Sequence, residues 1–150
     1  MQTISCSRWI GRSPSDVYEV LTDPAKLVTI VKRLAGIEVL HRDGDVGRVK
    51  AILDLPGGKH VATEGKVTGR SDSFLSFTTS TPFELEITWE LTADLRDGIA
   101  GTDVVYRAGV DFGPMIEFLS KLVLSGYLTT EMERDLDKLE GFLANEVSPA

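Results

Sequence analysis

From Gly36 to Phe112 the chain alternates apolar and polar residues, interrupted only by turn-forming clusters. Such a pattern leaves little room for anything but an antiparallel sheet. In FELEITWELTADL, Phe83, Leu85, Ile87, Trp89 and Leu91 fall on one face, and Glu84, Glu86, Thr88, Glu90 and Thr92 on the other. That describes a strand with one dry and one wet face. TDVVYRAGVDF repeats the pattern, turning Val104, Tyr106, Ala108, Val110 and Phe112 inward. DGD at Asp43–Asp45 and PGG at Pro56–Gly58 read as hairpin turns, and Asp72, Pro82 and Arg96–Gly101 mark further reversals. With Thr3–Ile10 in front, about seven strands in sequence predict one strongly bent antiparallel sheet.

Between the first strand and this run lies RSPSDVYEVLTDPAKL. Ser13 can cap a helix that takes Pro14 in its first turn and Asp16 at its positive end, with Val17, Val20 and Leu21 as its apolar stripe. Pro24 ends that helix and starts another, carrying Leu27, Val28, Ile30, Val31 and Leu34.

After the strands, Pro114 opens a helix expected to run to about Asn145 and, at ~1.5 Å per residue, to cross the whole domain. Its second half carries the stripe Met132, Leu136, Leu139 and Leu143, with Glu131, Glu133, Arg134, Asp137 and Lys138 expected in solvent. Carried backward, the stripe passes through Thr129, Ser125, Gly126, Leu122 and Phe118, so small and hydroxyl-bearing residues occupy its midpoint. Either a bulky sheet residue (Trp89, Phe77 or Tyr106) fills that notch, or the notch is one wall of a ligand cavity. Ile116, Leu119, Val123, Leu124 and Tyr127 lie off the stripe. They either pack under the two short helices or form a patch for a dimer partner or a membrane surface.

A net charge of −7 argues against nucleic acid and anionic membranes as partners. The single cysteine, Cys6, excludes an intramolecular disulfide and reads as a small core residue. No basic-then-apolar leader and no apolar run of ~20 residues is visible, so a cytoplasmic protein without membrane insertion is expected.

Sequence signatures of catalysis are sparse. No phosphate loop, dinucleotide fingerprint, nucleophile elbow or zinc helix motif is present, and no cofactor is expected. His41 and His60 sit near hairpin turns on separate strands, with Asp43 and Asp45 as turn residues, so no metal is expected. His60 and Glu64 share a strand face and can form an acid–base pair, but alternation with Val61, Thr63 and Val67 turns them to water. Glu84, Glu86 and Glu90 line a wet face opposite basic neighbours such as Arg107. The polar groups left inside are Thr63, Thr79, Tyr106, Trp89, Ser125 and Thr129, with Tyr106 the one candidate catalytic acid.

The order of strand, two short helices, strand run and long helix resembles the START-like SRPBCC superfamily, the helix-grip fold that includes the polyketide cyclase/dehydrase family. Its sharpest carrier is IGRSPSDVYEVLTD, Ile10 to Asp23, where Val17, Tyr18 and Leu21 are packing residues. The resemblance implies a cavity between sheet and long helix, taking lipids, sterols, quinones, polyketides or similar molecules. The combined expectation is a single α+β helix-grip domain over residues 1–150 that binds a small hydrophobic molecule. Leu53, Thr63, Phe77, Trp89, Tyr106 and Phe112 would line the sheet side, and Phe118, Leu122, Ser125, Gly126 and Thr129 the helix side. Ile30, Val31 and Leu34 would close the mouth. A carrier or sensor follows from the lack of an inward ionisable pair, and a cyclase, aromatase or dehydratase from Tyr106 and the resemblance. A third reading is a protein-interaction module acting through Leu119, Val123 and Tyr127. The expected assembly is a monomer or weak homodimer.

Overall fold

The computed structural model describes residues 2–55, 58–81, 84–111 and 127–145. Strand β1 (Gln2–Ile10) leads into helices α1 (Pro14–Leu21) and α2 (Pro24–Ile30). Strands β2 (Leu34–Asp43), β3 (Val46–Leu55), β4 (Lys59–Arg70), β5 (Phe74–Thr79), β6 (Glu84–Arg96) and β7 (Ile99–Asp111) follow, then helix α3 (Tyr127–Asn145). The seven strands form one antiparallel sheet in the order β1-β7-β6-β5-β4-β3-β2, the expected α+β arrangement.

Local chemistry sets the helix starts. The Ser13 hydroxyl accepts a hydrogen bond from the Asp16 amide at 3.1 Å, and the Asp23 carboxylate accepts one from the Ala25 amide at 3.0 Å. Pro14 and Pro24 follow these caps, where a missing N–H costs nothing. Buried Val17, Val20, Leu21 and Ile30 attach both helices to the core.

Strand pairing aligns the inward residues in rows across the sheet. Cys6 lies opposite Tyr106, Tyr106 opposite Trp89, and Trp89 opposite Leu75. The next row joins Ala108, Ile87, Phe77 and Val67. On α3, Met132, Leu136, Leu139 and Leu143 are buried as their spacing predicts. The helix packs on β1, α1 and α2, and Arg12 donates to the Leu143 carbonyl near its end. Arg8 pairs with Asp137 on the outer side.

Two glycines allow side chains to cross the sheet. A β-carbon on Gly65 would overlap the Phe77 ring and lie 2.7 Å from the Thr78 carbonyl oxygen, so the ring lies over bare backbone. Gly69 likewise makes room for the Tyr18 hydroxyl. Irregularities between Leu34 and Gly36, and between Val39 and His41, shift the register of β2 against β3.

Gly65→Ala should therefore destabilise the protein by about 1–3 kcal/mol, since neither the ring nor the carbonyl can move freely. Urea unfolding of the variant beside the parent checks this.

Candidate functional site

Between the concave face of the sheet and the helices lies a cavity of about 300 Å³. Its sheet wall is built from Val49, Ala51 and Leu53 on β3, Val67 on β4, Leu75 and Phe77 on β5, Leu85, Ile87 and Trp89 on β6, and Tyr106, Ala108 and Val110 on β7. Leu27 approaches from α2 and Val31 from its C-terminal cap, and Leu128, Glu131, Met132 and Asp135 from α3. Small residues at Ala51 and Ala108 leave the space that larger side chains would fill. The β2–β3 hairpin contributes Val39, Arg42, Asp45 and Val46, of which Val39 and Val46 are 48% and 42% exposed, so this end meets solvent.

Two hydrogen-bonded groups of polar residues stand side by side where α3 meets the wall. Tyr106 is 3% exposed and stacks on Trp89, with ring centroids 3.8 Å apart and planes 7° from parallel. Its hydroxyl donates to Asp135 Oδ2 at 3.0 Å, and the Lys32 amide donates to Asp135 Oδ1 at 3.1 Å. One turn before Asp135, buried Glu131 accepts from Arg33 Nε and Nη2 at 2.8 and 2.9 Å, a two-point ion pair. Arg33 Nη1 also donates to the Asp54 carbonyl at 2.9 Å, tying the turn before β2 to the end of β3.

Burial pushes the Asp135 carboxyl up from 3.8 to about 6, against the lowering effect of the hydrogen bonds from Lys32 and Tyr106, with nearby Glu131 adding to the rise and Lys138 opposing it. Burial, and then Asp135 beside it, push the Tyr106 phenol well above its ordinary 10, so it stays protonated and donates. A carboxyl near neutrality on a cavity wall can take or give a proton to a bound molecule.

The structure corrects two sequence expectations here. Glu131 is buried rather than solvated, because Arg33 reaches over to pair with it. An inward ionisable pair, absent from the sequence reading, exists in Tyr106 and Asp135. Glu131 and Asp135 fall at i and i+4 in a helical row with Leu128 and Leu139, and that spacing is the signal that reveals them.

Of the candidate lining residues, Val31, Leu34, Leu53, Phe77, Trp89 and Tyr106 lie together on the cavity wall. Ile30 is packed into the core beside it. Thr63 points inward but shares a 2.6 Å hydrogen bond with the Thr79 hydroxyl and also bonds the Thr81 carbonyl. Thr129 contributes its carbonyl to the Cys6 thiol at 3.8 Å. Phe112, Phe118, Leu122, Ser125 and Gly126 lie outside the described residues, as do Phe83, Pro114, Ile116, Leu119, Val123 and Leu124. His60 pairs with Asp54 at 2.8 Å instead of Glu64, which pairs with Arg48, and all of this faces water. Glu90 pairs with Arg107 on the wet face as expected. Among the described residues no group of three His, Cys, Asp or Glu side chains could hold a metal ion, and no helix is long and apolar enough to cross a membrane.

A family model described as polyketide cyclase / dehydrase and lipid transport matches residues 1–141. Among solved structures the chain is similar to a protein of Thermus thermophilus, with 21% identity, a TM-score of 0.79, and coverage of 98% of this chain and 100% of that one. It is also similar to the Zhui aromatase/cyclase of a Streptomyces species, with 11% identity, a TM-score of 0.74 and coverage of 98% and 96%. A START superfamily protein of Mycobacterium smegmatis aligns at 16% identity, with a TM-score of 0.66 and coverage of 97% and 99%. These likenesses extend to the fold. No curated protein matches.

Asp135 also makes stability depend on pH. Its carboxyl is neutral in both folded and unfolded chains below about pH 4, and above about pH 6 the folded state must hold it ionised, so its contribution falls as pH rises between those values. A rise from 3.8 to about 6 corresponds to on the order of 3 kcal/mol. Asp135→Asn should accordingly stabilise the protein near pH 8 and change little near about pH 4, as read by urea unfolding at both values.

Proposed function

The chain belongs to the polyketide cyclase/dehydrase and lipid transport family, and from that premise we propose that it binds a small hydrophobic molecule in the cavity between sheet and α3, as a carrier or sensor. The observation that carries this reading is the cavity itself. A space of about 300 Å³ walled by Leu53, Val67, Phe77, Ile87 and Ala108 is costly to leave unfilled, and its size and apolar lining suit a small ligand. The exposed hairpin end offers a way in without opening the core.

A second reading is an enzyme of the cyclase, aromatase or dehydratase type, favoured by the hydrogen-bonded Tyr106 and Asp135 on the wall. Asp135, near neutrality, would move the proton, and Tyr106 would hold it in place. The carrier reading ranks first because the cavity wall is mostly apolar, with Leu53, Val67, Phe77, Ile87 and Ala108 on it, and a carrier needs only that wall.

N-phenylnaphthylamine, a neutral dye that brightens in apolar surroundings, should bind the purified protein and lose fluorescence as hydrophobic compounds displace it. Ala108→Phe and Val67→Trp, which fill the cavity from different strands, should each weaken dye binding at least about tenfold, roughly 1.4 kcal/mol. Undiminished binding in both folded variants would overturn the cavity reading. For the second reading, Tyr106→Phe should abolish turnover of a substrate while thermal unfolding stays cooperative.

A further inference from the structure

We propose that the polar part of this cavity selects ligands whose head group donates hydrogen bonds, an amine or an alcohol on an apolar body, and turns away carboxylates. The proposal rests on the cavity reading above and names the head group that the cavity takes.

It follows from where the donors around Glu131 and Asp135 are directed, Arg42 lying apart at the hairpin end. Three of the five guanidinium N–H groups of Arg33 point away from a ligand, two to Glu131 and one to the Asp54 carbonyl. The Lys32 amide and the Tyr106 hydroxyl both donate to Asp135. Among the described residues, no buried side-chain nitrogen or oxygen is left without a partner.

Acceptor capacity remains. An ionised carboxylate offers about four lone-pair sites, and Asp135 uses one on each oxygen. A ligand N–H or O–H can add there, whereas a ligand carboxylate finds acceptors where it needs donors.

Charge acts in the same direction. Glu131 is paired with Arg33, and the Lys32 ammonium stands 4.0 Å from it. Asp135 has no ion-pair partner among the described residues; what faces it is Tyr106 from β7, the Lys32 amide from the turn after α2, and Glu131 and Lys138 from α3. A bound ammonium would give Asp135 the partner that makes a buried charge tolerable. A bound carboxylate would place like charges together in a poorly solvated space.

Displacement of N-phenylnaphthylamine by decylamine, decanol and decanoate tests this with three probes of equal chain length. At about pH 8, where Asp135 is ionised, decylamine should compete at least about tenfold better than decanoate, with decanol between them. Asp135→Asn, which keeps the shape and removes the charge, should cut the amine-to-alcohol preference about tenfold. In the unmodified protein the same preference should fall as pH is lowered through about 6, a readout that holds even if the variant does not fold. Dye that binds and is displaced as readily by decanoate as by decylamine would overturn the selectivity and leave the cavity reading standing. Dye that does not bind at all would overturn the cavity reading, and the selectivity with it.

Discussion

The hydrogen bond from the Tyr106 hydroxyl to Asp135 joins the floor of the sheet to the helix above it. Tyr106 cannot shift sideways, because Trp89 stacks flat against it and Cys6 stands opposite on β1. The hydroxyl therefore marks a fixed height, and Asp135 fixes the rotation of α3 at that height. With Asp135 held there, Leu136, Leu139 and Leu143 turn into the core, while Glu131 and Leu128 face the cavity. The Lys32 amide on the other Asp135 oxygen brings the turn after α2 to the same point. One carboxylate thus connects three parts of the chain. A buried polar group hydrogen-bonded to two other elements does more to specify an arrangement than to stabilise it.

The cavity is the counterpart of that arrangement. α3 packs on β1 and the short helices, while the concave residues of β3 to β7 extend beneath and beside it. A chain selected for stability alone would fill that space, since each buried methylene contributes about 0.8 kcal/mol. Here Ala51, Ala108 and Gly47 stand along it. Cores usually forgo stability in this way where a site needs room.

Most of the scaffold could be read from the sequence because its signals were local. Alternation named the inward residues of β6 and β7, Ser13 announced α1, and the apolar spacing of Met132 to Leu143 gave the buried stripe of α3. What could not be read were the pairings made across space. Charged residues on an amphipathic helix default to solvent, and only the approach of Arg33, far away in sequence, makes Glu131 an inside residue. Asp135 is the same case, drawn in by a tyrosine and a backbone amide. Thr63 shows the converse. Its inward direction was legible, but the Thr79 hydroxyl and Thr81 carbonyl that occupy it were not. The irregularities of β2 also escape a strict alternation, because one extra residue reverses the face.

Native mass spectrometry of freshly purified protein, followed by solvent extraction, tests the central claim most directly. A ligand-holding cavity predicts a folded species carrying one additional apolar compound, or one that takes up such a compound stoichiometrically and unfolds at a higher temperature. A bare protein mass, with no thermal shift across a broad hydrophobic library, would contradict it.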